Sequence, residues 1–547
     1  MKKIVCLVCC VVLGITAKAQ KVKNPNDNAK LVVGIVVDQM RYDYLNKFWD
    51  KYSEGGFKRL IKEGFNFKNN HFNYAPTYTG PGHTSVWTGT SPMNHGIIAN
   101  NWYNKFEKRS VYCAQDDNVN SVGTITDAGK MSPHRVQATT LTDQNRLHTQ
   151  FRGKTIGVSI KDRASILPAG HTANAAYWYS GGEDGKFITS TYYMEELPKW
   201  VQKFNNSGKV KSYLKEWNTL YDIDSYIESG IDNNDFENGY EGKDKATFPY
   251  NLKKLSKKNG HYSIIPETPY GDDLTLDFAI AAIEGEDLGA DEDTDILTLS
   301  FSSTDKVGHN FGVNSKEVED TYLRLDKNLA DLLTYLDDKV GKGNYTIFLT
   351  ADHGGGHVGG YLESVGIPTG IIDYDKFEKE LLAFNEKQFG SSSIIENVSN
   401  GQFFLNYDYM AKENLDPATV ETKIKHFLLQ QEGIYKVFTR HELDITNYSN
   451  GIGYIIQNGF NQKRSGDIMI VLQPGNGYEE GSTHGSVFNY DTHTPLLFFG
   501  KGVPHGETYQ RSEIIDIAPT MAAILGIEYP NATTGKPLSI MLDKASE

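Results

Sequence analysis

ILTLSF at positions 296–301 and YTIFLTA at positions 345–351 are two apolar runs that enclose one amphipathic segment. Between them, apolar residues recur at intervals of three and four over 318–336, which predicts a helix with Asn314 or Ser315 as its cap. Strand, helix and strand in this order form a right-handed crossover between parallel strands. The stretch therefore predicts an α/β fold with a doubly wound, mostly parallel sheet.

Other apolar runs continue this pattern along the chain. They are LVVGIVV (31–37), TIGVSI (155–160) and TPLLFF (494–499). Nearly continuous apolar runs are typical of strands that are buried on both faces of a parallel sheet. We expect the core to comprise residues 20–165, 271–364 and 476–547, with an insertion or cap at 166–270 and a mixed α/β insertion at 365–475.

The first nineteen residues predict an export signal peptide. Lys2 and Lys3 precede an apolar run that ends at Ile15, and Ala17-Lys18-Ala19 provides a small-residue cleavage site. The alternative is a membrane anchor, but that needs about 20 apolar residues, which neither this run nor any later segment supplies. We therefore expect cleavage after Ala19, a secreted or periplasmic protein, and no stable membrane insertion.

Removal of this signal changes the cysteine and charge counts. Three cysteines leave with it, so Cys113 remains alone and no intramolecular disulfide can form. Three lysines leave as well, and the remaining 52 basic and 69 acidic side chains change the net charge from −14 to −17. Because nothing supplies a basic face, we expect no nucleic-acid partner, and any anionic ligand needs a local cationic site such as bound metal.

Acidic and imidazole side chains follow the predicted strands where the strands end. Asp38, Asp305 and Asp352 come after three of the runs, and His309 and His353 lie close to two of these carboxylates. The carboxyl ends of parallel strands meet at one edge, where three carboxylates repel one another unless cations neutralise them. Each residue singly is more often a cap or a surface group, but together they predict a metal site. Mixed carboxylate and imidazole ligands favour zinc, with manganese or cobalt as alternatives.

The segment TGPGH (79–83) contains a helix start. Pro81 fits the first turn of a helix, which places Thr79 just ahead of an N-terminus whose free N–H groups and dipole favour an anion. Thr79 either caps this helix or acts as a nucleophile, because a nearby metal lowers the pKa of a hydroxyl. The predicted metal site favours the nucleophile.

Six motifs occur in the order that is found in the alkaline phosphatase superfamily. They are Asp38 after a strand, Thr79-Gly80-Pro81-Gly82-His83, Asn94-His95-Gly96-Ile97-Ile98-Ala99-Asn100-Asn101, Asp305-x-x-x-His309, Ala351-Asp352-His353-Gly354 and Thr483-His484-Gly485. Over nearly the whole mature chain the sequence resembles the PafA-type phosphate-irrepressible alkaline phosphatases, and next the nucleotide pyrophosphatase/phosphodiesterase branch. The resemblance implies an alkaline phosphatase-like fold and a phosphomonoesterase.

The same resemblance implies two zinc ions per chain and a role for each matching position. The two expected ligand sets are Asp38, Asp352, His353 and the Thr79 oxygen, and Asp305, His309 and His484. In such sites the ions lie about 4 Å apart and stabilise the attacking and leaving oxygens of an in-line displacement. Thr79 is then the nucleophile and forms a phosphothreonine.

His484 is the ligand that depends most on this resemblance. From spacing alone, His357 and His493 are equal rivals for the same place. With the family pattern, these two histidines are expected to be structural or to lie behind the ligands, and so are His83 and His95.

The triplet Lys161-Asp162-Arg163 follows the predicted strand at 155–160 and bears on the type of ester. A monoester dianion presents three terminal oxygens, to which an arginine fork and a lysine can bind, whereas a diester has a neutral substituent there. In the PafA-like family a Lys-x-Arg at this point, with Asn100, is linked to monoesterase activity. We therefore expect Lys161, Arg163 and Asn100 to bind small phosphomonoesters and to assist catalysis. The alternative is a surface ion pair around Asp162.

Other functions fit the sequence less well. Sulfatases of the superfamily need a cysteine or serine where this chain has Thr79, and the phosphodiesterase branch lacks the Lys-x-Arg pair. A secreted binding protein that keeps its metals only for structure predicts a defect in the catalytic set, and the sequence shows none.

Overall fold

The structure is a computed structural model that describes residues 28–477 and 482–544. The predicted signal peptide at 1–19 lies outside these residues. Within the two described ranges, no helix combines the length and the apolar character that crossing a bilayer requires.

A ten-stranded sheet forms the centre of the protein. In spatial order its strands are Gly506–Thr508, Phe65–Phe67, Leu496–Gly500, Tyr345–Thr350, Leu31–Val37, Asp295–Phe301, Thr155–Ser159, Ala175–Ser180, Lys186–Ser190 and Ser121–Val122. The five strands from Tyr345–Thr350 to Ala175–Ser180 run parallel, and an antiparallel strand flanks them on each side. This confirms the predicted α/β class with a mostly parallel sheet.

The predicted crossover between two of these strands is present. Its helix spans Lys316–Leu336, and the Ser315 side chain caps it by accepting a hydrogen bond from the backbone N–H of Val318 at 3.1 Å. The flanking strands, Asp295–Phe301 and Tyr345–Thr350, begin and end within one residue of the predicted bounds.

Helices cover both faces of the sheet. In the described ranges, the helices of eight or more residues are Thr79–Thr88, Leu141–His148, Asp162–Ala169, Tyr270–Gly285, Ser303–Phe311, Lys316–Leu336, Tyr374–Phe389, Pro417–Leu428, Gly451–Gly459 and Ile517–Leu525. Alternate side chains of the strand Leu31–Val37 enter two separate cores, because successive residues of a strand point to opposite faces. Val33 packs in one core with Leu325, whereas Val36 packs in the other with Met521.

Residues 166–270, which the sequence predicted as an insertion, supply two strands of the central sheet. Ala175–Ser180 pairs in parallel with Thr155–Ser159, and Lys186–Ser190 pairs antiparallel with Ala175–Ser180. The sequence AAYWYS lacks the β-branched residues that marked the other central strands, so its composition did not separate it from the polar segment that follows. The predicted boundary at residue 166 is therefore corrected, and the sheet continues to Ser190.

A second, smaller sheet lies within the predicted insertion at 365–475. Its four antiparallel strands are Ile395–Ser399, Gln402–Leu405, Ile434–Thr439 and Ile468–Leu472. The helix Pro417–Leu428 begins with Pro417 after the cap Asp416, and its Ile424 packs in a core cluster separate from those of the central sheet. This part of the chain contains both strands and helices, and its limits as an insertion stay a prediction.

Candidate metal centre and active site

The register of the central strands brings polar residues to one edge of the sheet. Val36 pairs with Ser300 on one side and with Thr350 on the other, and Ser300 pairs with Ser159. Each of these strands ends within about one residue of these paired positions, at the same edge of the sheet. Four of the residues predicted from the sequence follow there and lie together: Asp38, Lys161, Asp305 and Asp352.

Two groups of three side chains at this edge could each hold a metal ion. Within each group the ligand atoms lie within 4.8 Å of one another. The groups are Asp38, Asp352 and His353, and Asp305, His309 and His484. Apart from the Thr79 oxygen, these are the two predicted ligand sets.

The group around Asp38 is fully buried and its inward atoms have no hydrogen-bond partner. His353 Nε2 lies 3.5 Å from Asp38 Oδ1 and 3.6 Å from Asp352 Oδ2. These three atoms are buried and unpaired. A buried polar atom without a partner costs free energy, so such a convergent set fits a cation that the protein binds between them.

The group around Asp305 combines one helix with a distant loop. Asp305 and His309 are four residues apart on the helix Ser303–Phe311, and His309 Nε2 lies 3.2 Å from Asp305 Oδ1. His484 Nε2 approaches the same oxygen to 3.7 Å from a loop near the C-terminus. Three side chains again face one point, and their oxygen and nitrogen atoms are the donor types that zinc prefers.

Backbone carbonyl groups orient the three imidazole rings. Nδ1 of His309, His353 and His484 lies 2.8, 2.8 and 2.7 Å from the carbonyl oxygens of Ser482, Gly354 and Thr77, respectively. A carbonyl oxygen can only accept, so Nδ1 carries a proton, and Nε2 is the ring nitrogen that faces the carboxylates. This is the arrangement by which proteins fix a histidine as a metal ligand.

Two side chains link the groups to each other. Lys161 Nζ donates to Asp38 Oδ2 at 2.7 Å and to Asp305 Oδ2 at 2.6 Å. Gln39 donates from its backbone N–H to Asp352 Oδ1 at 3.2 Å and from Nε2 to Asp305 Oδ1 at 3.0 Å. The two groups therefore form one continuous centre.

Asp38 and Asp305 respond differently to sharing one buried site. Burial, followed by the charges of Asp305 and Asp352, raises the pKa of Asp38 to about 8. Burial acts the same way on Asp305, but His309 and Lys161 hold its pKa well below the usual value. The one buried lysine does not neutralise the centre, and this excess of negative charge suits divalent cations.

Thr79 is the first residue of the helix Thr79–Thr88. The N-cap of that helix is Tyr78, whose side chain makes no capping hydrogen bond, and Thr79 is already inside the helix, so the alternative that Thr79 only caps the helix is wrong. Instead, Thr79 Oγ1 accepts a hydrogen bond from Arg163 Nη2 at 3.5 Å. The hydroxyl faces the basic pair that follows the strand Thr155–Ser159.

Lys161, Arg163 and Asn100 converge on this helix start and on the metal centre. Lys161 is buried and contacts two of the three aspartates of the centre, Asp38 and Asp305, which excludes a surface ion pair with Asp162 as its role. Asn100 Oδ1 accepts a hydrogen bond from the backbone N–H of Gly80 at 2.7 Å. Both N–H donors of the Asn100 amide thus remain for another partner.

His83, His95, His357 and His493 lie outside the two groups. His83 Nδ1 lies 3.3 Å from Asp352 Oδ2, and burial lowers the pKa of His95 to about 3. His357 Nδ1 contacts Asn314 Nδ2 at 2.8 Å, and His493 stacks on a tyrosine ring.

Sequence reasoning missed two residues of the site. Gln39 adopts a φ of 62°, a backbone conformation that L-residues rarely take, and this turns its amide toward Asp305 and Asp352. Its position directly after Asp38 was the available signal. Tyr112 contacts both Arg163 Nη1, at 3.2 Å, and the Asp162 carboxylate, and no sequence pattern marked it.

A doubly wound sheet with two Asp/His groups at its carboxyl edge, next to a threonine at a helix start, is the arrangement expected for the alkaline phosphatase superfamily. Comparisons with known proteins agree. The family model described as type I phosphodiesterase / nucleotide pyrophosphatase matches residues 32–495. The chain belongs to this family.

Individual relatives show which members of the family the chain resembles. A Myroides odoratus protein named calcium-transporting ATPase is 43% identical over 99% of both chains. Alkaline phosphatase PafA of Elizabethkingia meningoseptica is 45% identical over 96% of both chains. The crystal structure of wild-type alkaline phosphatase PafA matches with a TM-score of 0.90 and 45% identity, over 94% of this chain and 99% of that one. A second structure of that enzyme, with a threonine, an asparagine, a lysine and an arginine replaced, matches with a TM-score of 0.90 and 44% identity. The chain is a PafA-like phosphatase.

Proposed function

We propose that this phosphatase hydrolyses small phosphomonoesters to phosphate and alcohol at a two-zinc site, through a phosphothreonine formed on Thr79. The observation that carries the proposal is the position of the basic pair. Lys161 contacts one carboxylate of each metal group, and Arg163 contacts the Thr79 hydroxyl. A phosphate bound at the metal centre would therefore meet two cations as well as the metals.

The residues present fit two zinc ions. Asp38, Asp352, His353 and the Thr79 oxygen would hold one, and Asp305, His309 and His484 the other. When bound, the ions would supply the positive charge that activates the nucleophile and stabilises the charge that develops on the phosphoryl and leaving oxygens.

The protein groups around the centre would then carry out the displacement. Thr79 Oγ1 would form a bond to phosphorus while the bond from phosphorus to the alcohol oxygen breaks, and water would later release phosphate from Thr79. Arg163 and the Asn100 amide would donate hydrogen bonds to terminal phosphoryl oxygens, and Lys161 would add a further cation. A monoester has enough terminal oxygens for all of these donors.

The PafA variant structure supports these roles. Its four replaced residues are of the same types, in the same chain order, as Thr79, Asn100, Lys161 and Arg163, and the lysine and arginine are likewise two positions apart. The same Lys-x-Arg pair favours the monoesterase over the alternative, a nucleotide pyrophosphatase/phosphodiesterase.

A direct assay tests the proposal. The zinc-loaded protein is given a phosphomonoester, a phosphodiester and a sulfate ester that release the same alcohol. We expect the monoester to react much faster than the other two. A preference for the diester would support the phosphodiesterase, and no turnover of any ester would support a metal-stabilised binding protein.

We also propose export and removal of residues 1–19. The support is sequence evidence alone, since these residues lie outside those that the structure describes. Mass analysis of the protein purified from the periplasm or medium should give an N-terminus at Gln20. A chain that retains Met1 would contradict the proposal.

A further inference from the structure

A large cavity opens beside the metal centre. Its volume is about 840 Å³, and it reaches the centre at Tyr78, which precedes Thr79, and at His484. Its walls come from the core and from the smaller sheet, whose strand Ile468–Leu472 lines one side.

The cavity is far larger than a phosphate group needs. Pockets that bind whole organic ligands have volumes of about 300–1,000 Å³. A phosphate held at the metal centre would therefore leave room for a bulky group attached to it.

Among the residues that the structure describes, the carboxylate side chains that line the cavity are not matched by lysine or arginine. Asp235, Glu237, Glu363 and Asp491 line the cavity, and in the described part of the chain no lysine or arginine does. Lys161 and Arg163 serve the metal centre and do not line this space. A second anionic group on a substrate would find carboxylates here and no cation to pair with.

Apolar side chains also line the cavity. Val471 and Leu472 come from the smaller sheet, and Phe236, Leu362 and Phe488 come from loops and a short helix around it. Burial of an apolar group against such walls is favourable at about 25 cal/mol per Å².

We propose that this cavity binds the alcohol portion of the substrate and selects bulky, apolar alcohols that carry no negative charge. The inference rests on the proposed phosphomonoesterase. It predicts that monoesters of aromatic or long alkyl alcohols are preferred over those whose alcohol carries carboxylates or further phosphates.

Competitive inhibition by phosphonates separates binding in the cavity from leaving-group chemistry. The probes are methylphosphonate, 3-phenylpropylphosphonate and 5-carboxypentylphosphonate, assayed against hydrolysis of one monoester by the zinc-loaded protein. We expect the phenylpropyl compound to bind at least about tenfold more tightly than methylphosphonate. The carboxypentyl compound should bind no more tightly than methylphosphonate. Equal inhibition constants for all three, or equally tight binding of the two long probes, would overturn the inference.

A charge reversal places the effect in the cavity. Asp235→Lys with Glu363→Lys changes two exposed residues of the wall, and Asp331→Lys with Glu380→Lys makes the same charge change at exposed positions elsewhere. Only the first pair of substitutions should lower the inhibition constant of the carboxypentyl compound relative to that of methylphosphonate, by about threefold or more. The same change in both pairs would overturn a role for the cavity.

Failure of the proposed function gives a different result. Absence of monoester hydrolysis in the unmodified protein would overturn the phosphomonoesterase and this inference together. Normal hydrolysis without any ranking of the probes would overturn the inference alone.

Discussion

The imidazole rings of His353 and His484 stack on each other, with centroids 3.5 Å apart and an angle of 11° between their planes. The two histidines belong to different metal groups. The two metal groups are therefore in direct contact through these rings, and a change in one ligand set will affect the other. Rotation of either ring would disturb both metal groups at once. The hydrogen bonds from Nδ1 to backbone carbonyl oxygens hold the two rings against such rotation.

Replacement of His484 tests the choice among three histidines. His484→Ala should lower the zinc content from about two ions per chain to about one, because one of three protein ligands of that site is lost. His357→Ala and His493→Ala are matched controls that should keep both ions. Metal analysis by mass spectrometry measures the content. Loss of zinc in either control, with full retention in His484→Ala, would reassign the ligand.

Thr79→Ala tests the nucleophile. The variant should keep its zinc, since three protein ligands of that group remain, but lose about a thousandfold or more of its monoesterase rate. Thr79→Ser should recover part of the rate because it restores a hydroxyl. Mass spectrometry of the acid-quenched wild-type enzyme should show phosphate on Thr79, and a Thr79→Ala variant with near-normal turnover would contradict the assignment.

The sequence predicted the centre of the fold well because apolar runs and helix periodicity reflect local burial. Asp305 and Asp352 follow the parallel strands Asp295–Phe301 and Tyr345–Thr350 within a few residues, so both were expected at one edge of the sheet. Ala175–Ser180 was missed because its aromatic residues resemble those of the polar segment after it.

The site contained residues that no local pattern could show. His484 reaches Asp305 from a loop far along the chain, so its place depends on tertiary packing, and only the family resemblance selected it over His357 and His493. Gln39 reaches the carboxylates because of an unusual backbone angle, and Tyr112 belongs to the site because it contacts Arg163. Neither property is encoded in residue spacing.

Replacement of Lys161 and Arg163 together tests the monoester preference. Each charge-assisted hydrogen bond is worth about 1.5–3 kcal/mol, so each residue should contribute about ten- to a hundredfold to monoester kcat/KM. Diester hydrolysis should fall much less, because a diester presents one charged oxygen fewer. A Tyr112→Phe control, which removes only the hydroxyl beside Arg163, should cause a smaller loss. Equal losses for both esters would mean that the pair supports the structure alone.

Glu421 should make the stability of the smaller sheet depend on pH. Its side chain is 2% exposed, and burial, together with the Asp467 charge, raises its pKa from 4.5 to about 7. The folded state therefore binds this proton more tightly than the unfolded state, so stability falls as the pH rises from about 4.5 to about 7 and stays lower above that.

Glu421→Gln removes this titration and can still accept the hydrogen bond that the backbone N–H of His441 donates at 3.0 Å. Relative to wild type, the variant should gain about 2–3 kcal/mol between pH 5 and pH 8, measured by hydrogen exchange in the helix Pro417–Leu428. Glu432→Gln makes the same chemical change at an exposed position and should show no pH-dependent gain. If Glu421→Gln and wild type differ by the same amount at both pH values, the buried carboxylate does not titrate in this range, and the cost of its burial must be offset by the His441 hydrogen bond.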